Sequence, residues 1–510
     1  MGRGVLYVLL VWAAIYLPRL GTLELKSEEG RRVLPAITML ETGNYVVPQV
    51  GSEPYLRKPP LVNWLVAGSF KFLGVRNEWA ARIPSVLCVL SVALAFLVAT
   101  RRQLGANGSL AAAMFWLTNF GLLEKGRMIE IEALYVSLTG LAIVFWLSWW
   151  NQPTRRWWAW ILAGLFLGLA LLAKGPLALL FFYAVAVAVL WQAKDLRQLW
   201  SAPHGAALLL MAGIFLAWAI PYFQLTHAGH TAEVWTGQFS GRLEGENFKL
   251  GDWLLNIPRG LAYLLPWVAL FPFARFAMLE NADDGKRARA LAFGVSIPFV
   301  LVSLVPGALP RYNMPLLAPA IWLLAIFVKE HALIWPMALR RAITWTVIVV
   351  TVAMLIYSLA IIPFLQRREK VRPIATTIDA AIPPNETLYA VDPDYQPFLF
   401  YVRHPIVYVN HVTELPRTAR YILVQPDKEK EAEALPHWRF ERATPIIKDY
   451  RGKRVILLKA VPTGAQKSGG MPRSAADAST LLAPDGMSSE VFSLGSRVSG
   501  EILGGVEGSD

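Results

Sequence analysis

The chain has 510 residues, of which 55% are hydrophobic and only 17% charged, with 20 tryptophans and a mean hydropathy of +0.42. A soluble protein of this length carries about a quarter charged residues and divides into several domains, so composition excludes a soluble enzyme. The formal net charge of +13 belongs with loop charges that orient membrane helices and with phosphate-bearing lipid. Nucleic acid is not the expected partner, because no soluble segment carries a basic stripe. The single cysteine, Cys88, sits inside an apolar run, which leaves no disulfide framework and no cysteine-based metal site.

Apolar runs long enough to cross roughly 30 Å of hydrocarbon as helix fall at about 5–20, 82–100, 107–124, 131–150, 157–173, 175–192, 205–225, 260–279, 288–306, 313–329 and 342–365. They predict a polytopic all-α membrane bundle of about eleven to thirteen helices. The first run follows only Arg3, and no small-residue cleavage site precedes Glu28, so it reads as a retained helix rather than a cleaved leader.

The connecting segments fall into two sets. One set is short and basic: Arg101-Arg102, Arg155-Arg156, Lys194 with Arg197, Lys286 with Arg287 and Arg289, and Arg340-Arg341. Cytoplasmic loops have this character, and the alternation places the N-terminus inside. The other set is longer and chemically richer: 21–81, 122–131, the Lys174-Gly175-Pro176 corner, 226–259, 307–312 and everything beyond 366. Within 21–81, Leu61–Phe72 is amphipathic and predicts an interfacial helix.

Residues 1–365 form the membrane domain. After the last span the pattern changes to a helix over Lys370–Ile382 and strands at Leu388–Val391, Phe398–Val402, Ile406–Val409, Tyr421–Gln425 and Arg454–Lys459. These predict a small α/β extracytoplasmic domain over 366–462, followed by a disordered tail over 463–510 rich in Gly, Ser and Ala.

The rich set holds the candidate chemistry. Ser27-Glu28-Glu29-Gly30-Arg31 places two adjacent carboxylates just after the first span, where they repel unless paired or used; a solvated helix start capped by Ser27 explains them equally well. Tyr55-Leu56-Arg57-Lys58-Pro59-Pro60 sets two cations before a rigid double-proline corner, suited to a phosphate or simply to lipid headgroups. Arg127, Glu130 and Glu132 sit at the mouth of an apolar run, where ionised groups cost on the order of 2–3 kcal/mol and face a cavity or a partner. An Arg127–Glu130 pair at helical spacing would account for two of them. Lys174, Arg242, Arg259 and Arg311 add outer cations, Arg311 within Leu309-Pro310-Arg311-Tyr312. Together they would surround the acidic sites with the positive potential that a phosphate-linked substrate requires.

This ordered set, over about residues 1–330, resembles the membrane glycosyltransferases of the protein O-mannosyltransferase type, of the GT-C superfamily. Among them it is similar to bacterial enzymes that transfer a sugar such as aminoarabinose from undecaprenyl phosphate to lipid A. Their Asp-Glu-x-Arg motif is matched by Glu28-Glu29-Gly30-Arg31, and their Lys-Pro-Pro corner by Lys58-Pro59-Pro60, with Pro54 and Tyr55 in place. An Arg followed five residues later by an acid appears as Arg127 and Glu132. Lys174-Gly175-Pro176, Pro266-Trp267 and Leu309-Pro310-Arg311-Tyr312 follow in order.

The resemblance implies catalytic roles for Glu28 and Glu132, with Glu28 at the position of the catalytic acid and Glu132 orienting the acceptor or a cation. It implies a donor phosphate or substrate site made from Lys58, Arg31, Arg57, Tyr55, Arg127, Lys174, Arg242, Arg259, Arg311 and Tyr312. The implied partners are membrane lipid, a polyprenyl-phosphate-linked sugar, and a glycolipid or protein acceptor on the periplasmic face of a bacterial inner membrane. No obligatory cofactor or metal is expected, although the chemistry is compatible with a divalent cation. Two departures stand out: both principal acids are Glu where the family usually has Asp, and Arg57 replaces an acidic residue that often precedes the lysine. The rival readings are a transporter or lipid flippase, which would carry ionisable residues near mid-membrane, and a receptor-like scaffold.

Overall fold

The computed structural model describes residues 2–51, 53–226, 228–244, 248–331, 335–435, 438–448, 452 and 454–462. The expected tail over 463–510 lies outside them. Residues 1–461 pack as one compact unit.

Seven of the described helices are long and apolar enough to cross a membrane: Glu78–Ala99, Ile131–Trp149, Arg156–Ala173, Ala202–Leu225, Ala282–Leu304, Pro310–Glu330 and Met337–Gln366. Ile131–Trp149 is the central one, with 94% of its apolar window buried. A helix that is apolar all round has no face for water, and here it lies against Glu78–Ala99 and Arg156–Ala173. Aromatic rings fill its contact with Arg156–Ala173 and Leu177–Gln192: Trp146 meets Trp160 edge-on at 5.4 Å and Phe182 at 5.9 Å. Met337–Gln366 is the opposite case, only 11% buried, so its apolar surface faces outward.

The other expected spans are shorter or interrupted. Gly2–Tyr16 and Leu177–Gln192 are apolar helices below spanning length. Arg101–Thr118 is broken at Gly105. The span expected at 260–279 does not form. Asn256–Ala262 is a short helix, and Trp267–Phe273 and Phe276–Met278 are isolated 3-10 segments. Pro266 and Pro272 lack the N–H that a continuous helix needs. The carbonyls of Tyr263 and Leu265 instead accept from the amides of Gly121 and Phe120, at 3.0 and 2.8 Å. Trp267 stacks on Phe115 at 4.1 Å and donates to the Thr118 hydroxyl. Hydropathy marked an apolar segment there, but only Gly260, Leu264, Trp267 and Leu270 are buried, and the conformation is not a continuous helix.

At one end of the bundle Glu132, Lys174 and Arg311 meet, and the far end of helix Ile131–Trp149 lies by the basic loop residue Arg102. At the basic end Arg102 reaches Gln152 and Lys329 pairs with Asp284. Helix Leu61–Leu73 lies where the interfacial helix was expected, with Leu61, Val62, Val66, Ala67 and Phe70 buried.

Beyond the last span, helix Arg372–Ala381 precedes a mixed sheet. Leu388–Val391 pairs in parallel with Ile406–Val409 on one side and Tyr421–Val424 on the other. Tyr421–Val424 pairs antiparallel with Arg454–Pro462, which neighbours Trp438–Arg442 and pairs with Ile447–Lys448. The expected strand at 398–402 is instead a 3-10 turn, Pro397–Phe400: Pro397 cannot donate to a ladder, and Phe398 and Leu399 are buried.

This outer layer is tied to the first loop by buried charge. Glu24, 1% exposed, accepts from the amides of Lys370, Val371 and Arg372 at the start of helix Arg372–Ala381. Glu78 receives the Tyr401 hydroxyl at 2.9 Å and pairs with Arg372.

Candidate active site

The two adjacent carboxylates after the first helix have different fates. Glu29 is 1% exposed. Its Oε1 accepts from Arg82 Nε at 3.0 Å and from the Ile129 amide at 3.1 Å; its Oε2 accepts from Arg82 Nη2 at 2.9 Å and from the Lys26 amide at 3.0 Å. Arg82 in turn donates to the carbonyls of Leu20, Leu23 and Glu24. Such a planar two-pronged pair is satisfied on all sides and knits three segments together. Arg82 itself lies on a spanning helix and acts as a structural pin.

Glu28 is the partly open twin, its side chain 30% exposed. It pairs with Arg31 at 2.8 Å and with Arg32 at 3.6 Å. Arg32 is buried, donates to the Tyr55 hydroxyl at 3.3 Å and lies over the Tyr55 ring. Burial opposes the charge of Arg31, but Glu28, Tyr55 and Asp394 outweigh it and raise its pKa. The Lys26 amide and the Glu29 side chain close the turn; the expected Ser27 cap falls on a side chain outside the described residues.

The motif glycine has a steric purpose. A Cβ on Gly30 would sit 2.5 Å from the Tyr395 carbonyl oxygen. The first loop is therefore pressed against the segment after Leu388–Val391, whose Tyr395 ring meets Tyr55 edge-on at 5.1 Å. Arg57 is exposed and Lys58 half-buried at the following corner.

A second cluster forms at the same end of the bundle. Glu132 pairs with Lys174 at 3.2 Å and with Arg311 at 3.3 Å. Lys174 lies over the rings of Tyr312 and Tyr135, at 4.9 and 5.4 Å. Gly175, at φ 113°, makes the corner that brings Lys174 inward before Pro176 starts the next helix. Beside it, Lys125 bridges Glu124 and Glu130, at 2.9 and 3.2 Å. The Ile129 amide on Glu29 ties the two clusters, since Glu28 and Glu132 are one and three residues from that bond.

Two expected site residues, Arg127 and Arg259, are not brought in. Arg127 does not pair with Glu130; its guanidinium donates to the carbonyls of Ile15 and Pro18 and secures the end of the first helix. Arg259 pairs with Asp252 at 2.9 Å, both well exposed. The side chain of Arg242 lies outside the described residues. Conversely, Arg32, Arg82, Asp394 and Tyr395 were missed by sequence reasoning. Arg32 carried a signal, being four residues from Glu28 on one helix face; Arg82, Asp394 and Tyr395 meet the loop only through the fold. An open cleft of about 750 Å³ lies elsewhere, against Arg367, Glu369, Arg372 and Thr376, and no expected site residue lines it.

Residues 57–220 match the family model for dolichyl-phosphate-mannose-protein mannosyltransferase. The fold matches that of ArnT from Cupriavidus metallidurans bound to undecaprenyl phosphate, with a TM-score of 0.69 and 17% identity over 92% of this chain and 98% of that one. The chain is thus similar to a mannosyltransferase family over part of its sequence, and its fold is that of this membrane glycosyltransferase structure. Its curated relatives include the undecaprenyl phosphate-alpha-4-amino-4-deoxy-L-arabinose arabinosyl transferase of Pseudomonas aeruginosa, 30% identical over 62% of this chain and 57% of the relative. A second such transferase, of Pseudomonas fluorescens, is 31% identical over 55% of this chain and 48% of the relative. The chain thus spans about half the length of the curated relatives it matches. These family matches and the seven apolar helices make it a multi-pass membrane protein.

Proposed function

We propose that the protein is an inverting glycosyltransferase that moves a sugar from a polyprenyl phosphate, of the undecaprenyl kind, to a lipid A-like glycolipid or another envelope acceptor. The site opens to the periplasmic side of a bacterial inner membrane, and the outer α/β layer, residues 366–462, lies on that side. The relatives' activity and the basic loops at the opposite bundle end support both statements.

The observation that carries the reading is the division of labour between Glu28 and Glu29. A structural acid is saturated and buried, as Glu29 is; Glu28 keeps an exposed carboxylate between two arginines at the loop that bears Lys58. In the proposed reaction an acceptor oxygen attacks the anomeric carbon from the face opposite the phosphate, the new C–O bond forms and the sugar–phosphate bond breaks. The phosphate leaves with the electron pair, and the acceptor proton passes to a carboxylate or to solvent. Lys58, Arg31 and Arg57 are suited to hold the departing charge. Glu28, held between two arginines, serves to position and stabilise the reacting groups. Glu132, held between Lys174 and Arg311 beside Tyr312, is placed to orient the acceptor.

The test is to incubate the purified protein with a radiolabelled polyprenyl-phosphate sugar and envelope extract. Transfer of label to glycolipid, lost in Glu28→Gln, is the expected result. Label appearing on protein would move the assignment to protein O-glycosylation, and no transfer with intact folding would refute the enzyme reading.

A further inference from the structure

The last spanning helix, Met337–Gln366, turns its apolar surface outward, with Val349, Val352, Ile356, Leu359 and Phe364 all exposed. In a bilayer acyl chains cover such a surface. The helix stops at Gln366, and the chain continues as Arg367-Arg368-Glu369-Lys370-Val371-Arg372. Here the cleft of about 750 Å³ opens, lined by Gln366 and Arg367 at the helix end and by Glu369, Thr376 and Thr377 beyond it. Glu369, Pro373 and Thr377 also line a second hollow of about 500 Å³, where Lys370 and Lys448 join them.

The charges in this cleft are matched unequally. Glu369 pairs with Arg372 at 3.5 Å, and Arg372 also pairs with Glu78. Arg367, Lys370 and Lys448 line the cleft, are exposed, and form no ion pair among the described residues. Arg368 lies over the ring of Phe364 at 4.5 Å, which anchors the segment at the edge of the apolar surface. The turn itself is held from below: buried Glu24 accepts from the amides of Lys370, Val371 and Arg372. The hydroxyls of Thr376 and Thr377 donate to the carbonyls of Arg372 and Pro373, which leaves their oxygens as acceptors.

We infer that this cleft binds the headgroup of an anionic membrane lipid, with its phosphate met by Arg367 and Lys370 and its acyl chains lying along Met337–Gln366. Loose attraction of headgroups to cations beside a membrane needs neither a cleft nor a fixed turn. Both are present here, so the ordering is done before the lipid arrives and its phosphate meets cations that have no other counter-charge. The threonine oxygens suit the hydroxyls of a polar headgroup. Glu28, Lys58 and Glu132 line neither hollow, so this site stands apart from the proposed reaction.

The test uses the full-length protein in phosphatidylcholine nanodiscs doped with one of two probes. These are phosphatidylglycerol and phosphatidylcholine, each with a photoreactive diazirine on the acyl chain next to the headgroup. After illumination, mass spectrometry measures the label on residues 364–377. The phosphatidylglycerol probe should label them about tenfold more than its zwitterionic counterpart. Arg367→Glu with Lys370→Glu should remove that preference, whereas Arg340→Glu with Arg341→Glu, near the other end of the same helix, should leave it. Equal labelling by the two probes in the unaltered protein would overturn the inference without recourse to any variant. An unchanged preference in the Arg367 and Lys370 variant would overturn it too, as would a loss of equal size in the Arg340 and Arg341 variant. Inorganic phosphate, compared with chloride at equal ionic strength, should leave the label in place; displacement would mean that a free anion, not a lipid, occupies the cleft.

Discussion

Replacing Glu29 by Gln should unfold this protein more readily without touching the reacting groups, whereas the same change at Glu28 should do the reverse. The magnitude follows from the partners. Glu29 accepts four hydrogen bonds, two from Arg82 and two from the amides of Lys26 and Ile129. A glutamine keeps the shape but turns one acceptor into a donor that faces donors, and it leaves the buried Arg82 without its counter-charge. Breaking one partner of a buried pair costs about 3–5 kcal/mol, so the unfolding midpoint in detergent should fall by on the order of 5 °C or more. Glu28 and its partner Arg31 are partly exposed, and the buried Arg32 keeps its contact with Tyr55, so Glu28→Gln should cost on the order of 1 kcal/mol, less than the Glu29 change, while reducing sugar transfer by at least ~100-fold. Thermal unfolding followed by tryptophan fluorescence, paired with a radiolabel transfer assay on the same preparations, separates the two effects. A stable but inactive Glu29→Gln beside an active Glu28→Gln would exchange the assigned roles and refute the reasoning.

Other expected outcomes follow from single contacts. Lys58→Ala should weaken binding of bare polyprenyl phosphate about tenfold or more, measured by probe displacement, with the unfolding midpoint little changed. Gly30→Ala should cost about 1–3 kcal/mol, because its Cβ would meet the Tyr395 carbonyl oxygen at 2.5 Å; denaturation should show that loss, and proteolysis should show the outer layer loosening first. Glu130 supplies a pH dependence. Burial raises its pKa above the ordinary carboxylate value, with Lys125 pulling the other way. The folded state therefore holds a proton that the unfolded state releases, and stability should decline as pH rises from the ordinary Glu range through the raised value. Glu130→Gln should flatten that slope in a pH series of unfolding midpoints.

The amino-acid sequence determined the class of the molecule, the end of the bundle where the motifs gather, and the ordered residues Glu28, Lys58, Glu132, Lys174 and Arg311. These are properties of composition and local spacing, and apolar run length reports what can lie in hydrocarbon. It also located helix Arg372–Ala381 and the strands Leu388–Val391, Ile406–Val409 and Tyr421–Val424. It could not separate Glu28 from Glu29, because adjacent carboxylates are equivalent until Arg82, more than fifty residues away, closes on one of them. It could not see that Arg127 secures the first helix instead of facing a substrate, nor that 260–279 is apolar without forming a continuous helix. Asp394 and Tyr395 reach the first loop only because the outer sheet packs on Gly30 and Tyr55. Long-range pairing decided those points, since a charged side chain takes its role from what the fold brings within about 4 Å of it, and no local pattern encodes that partner.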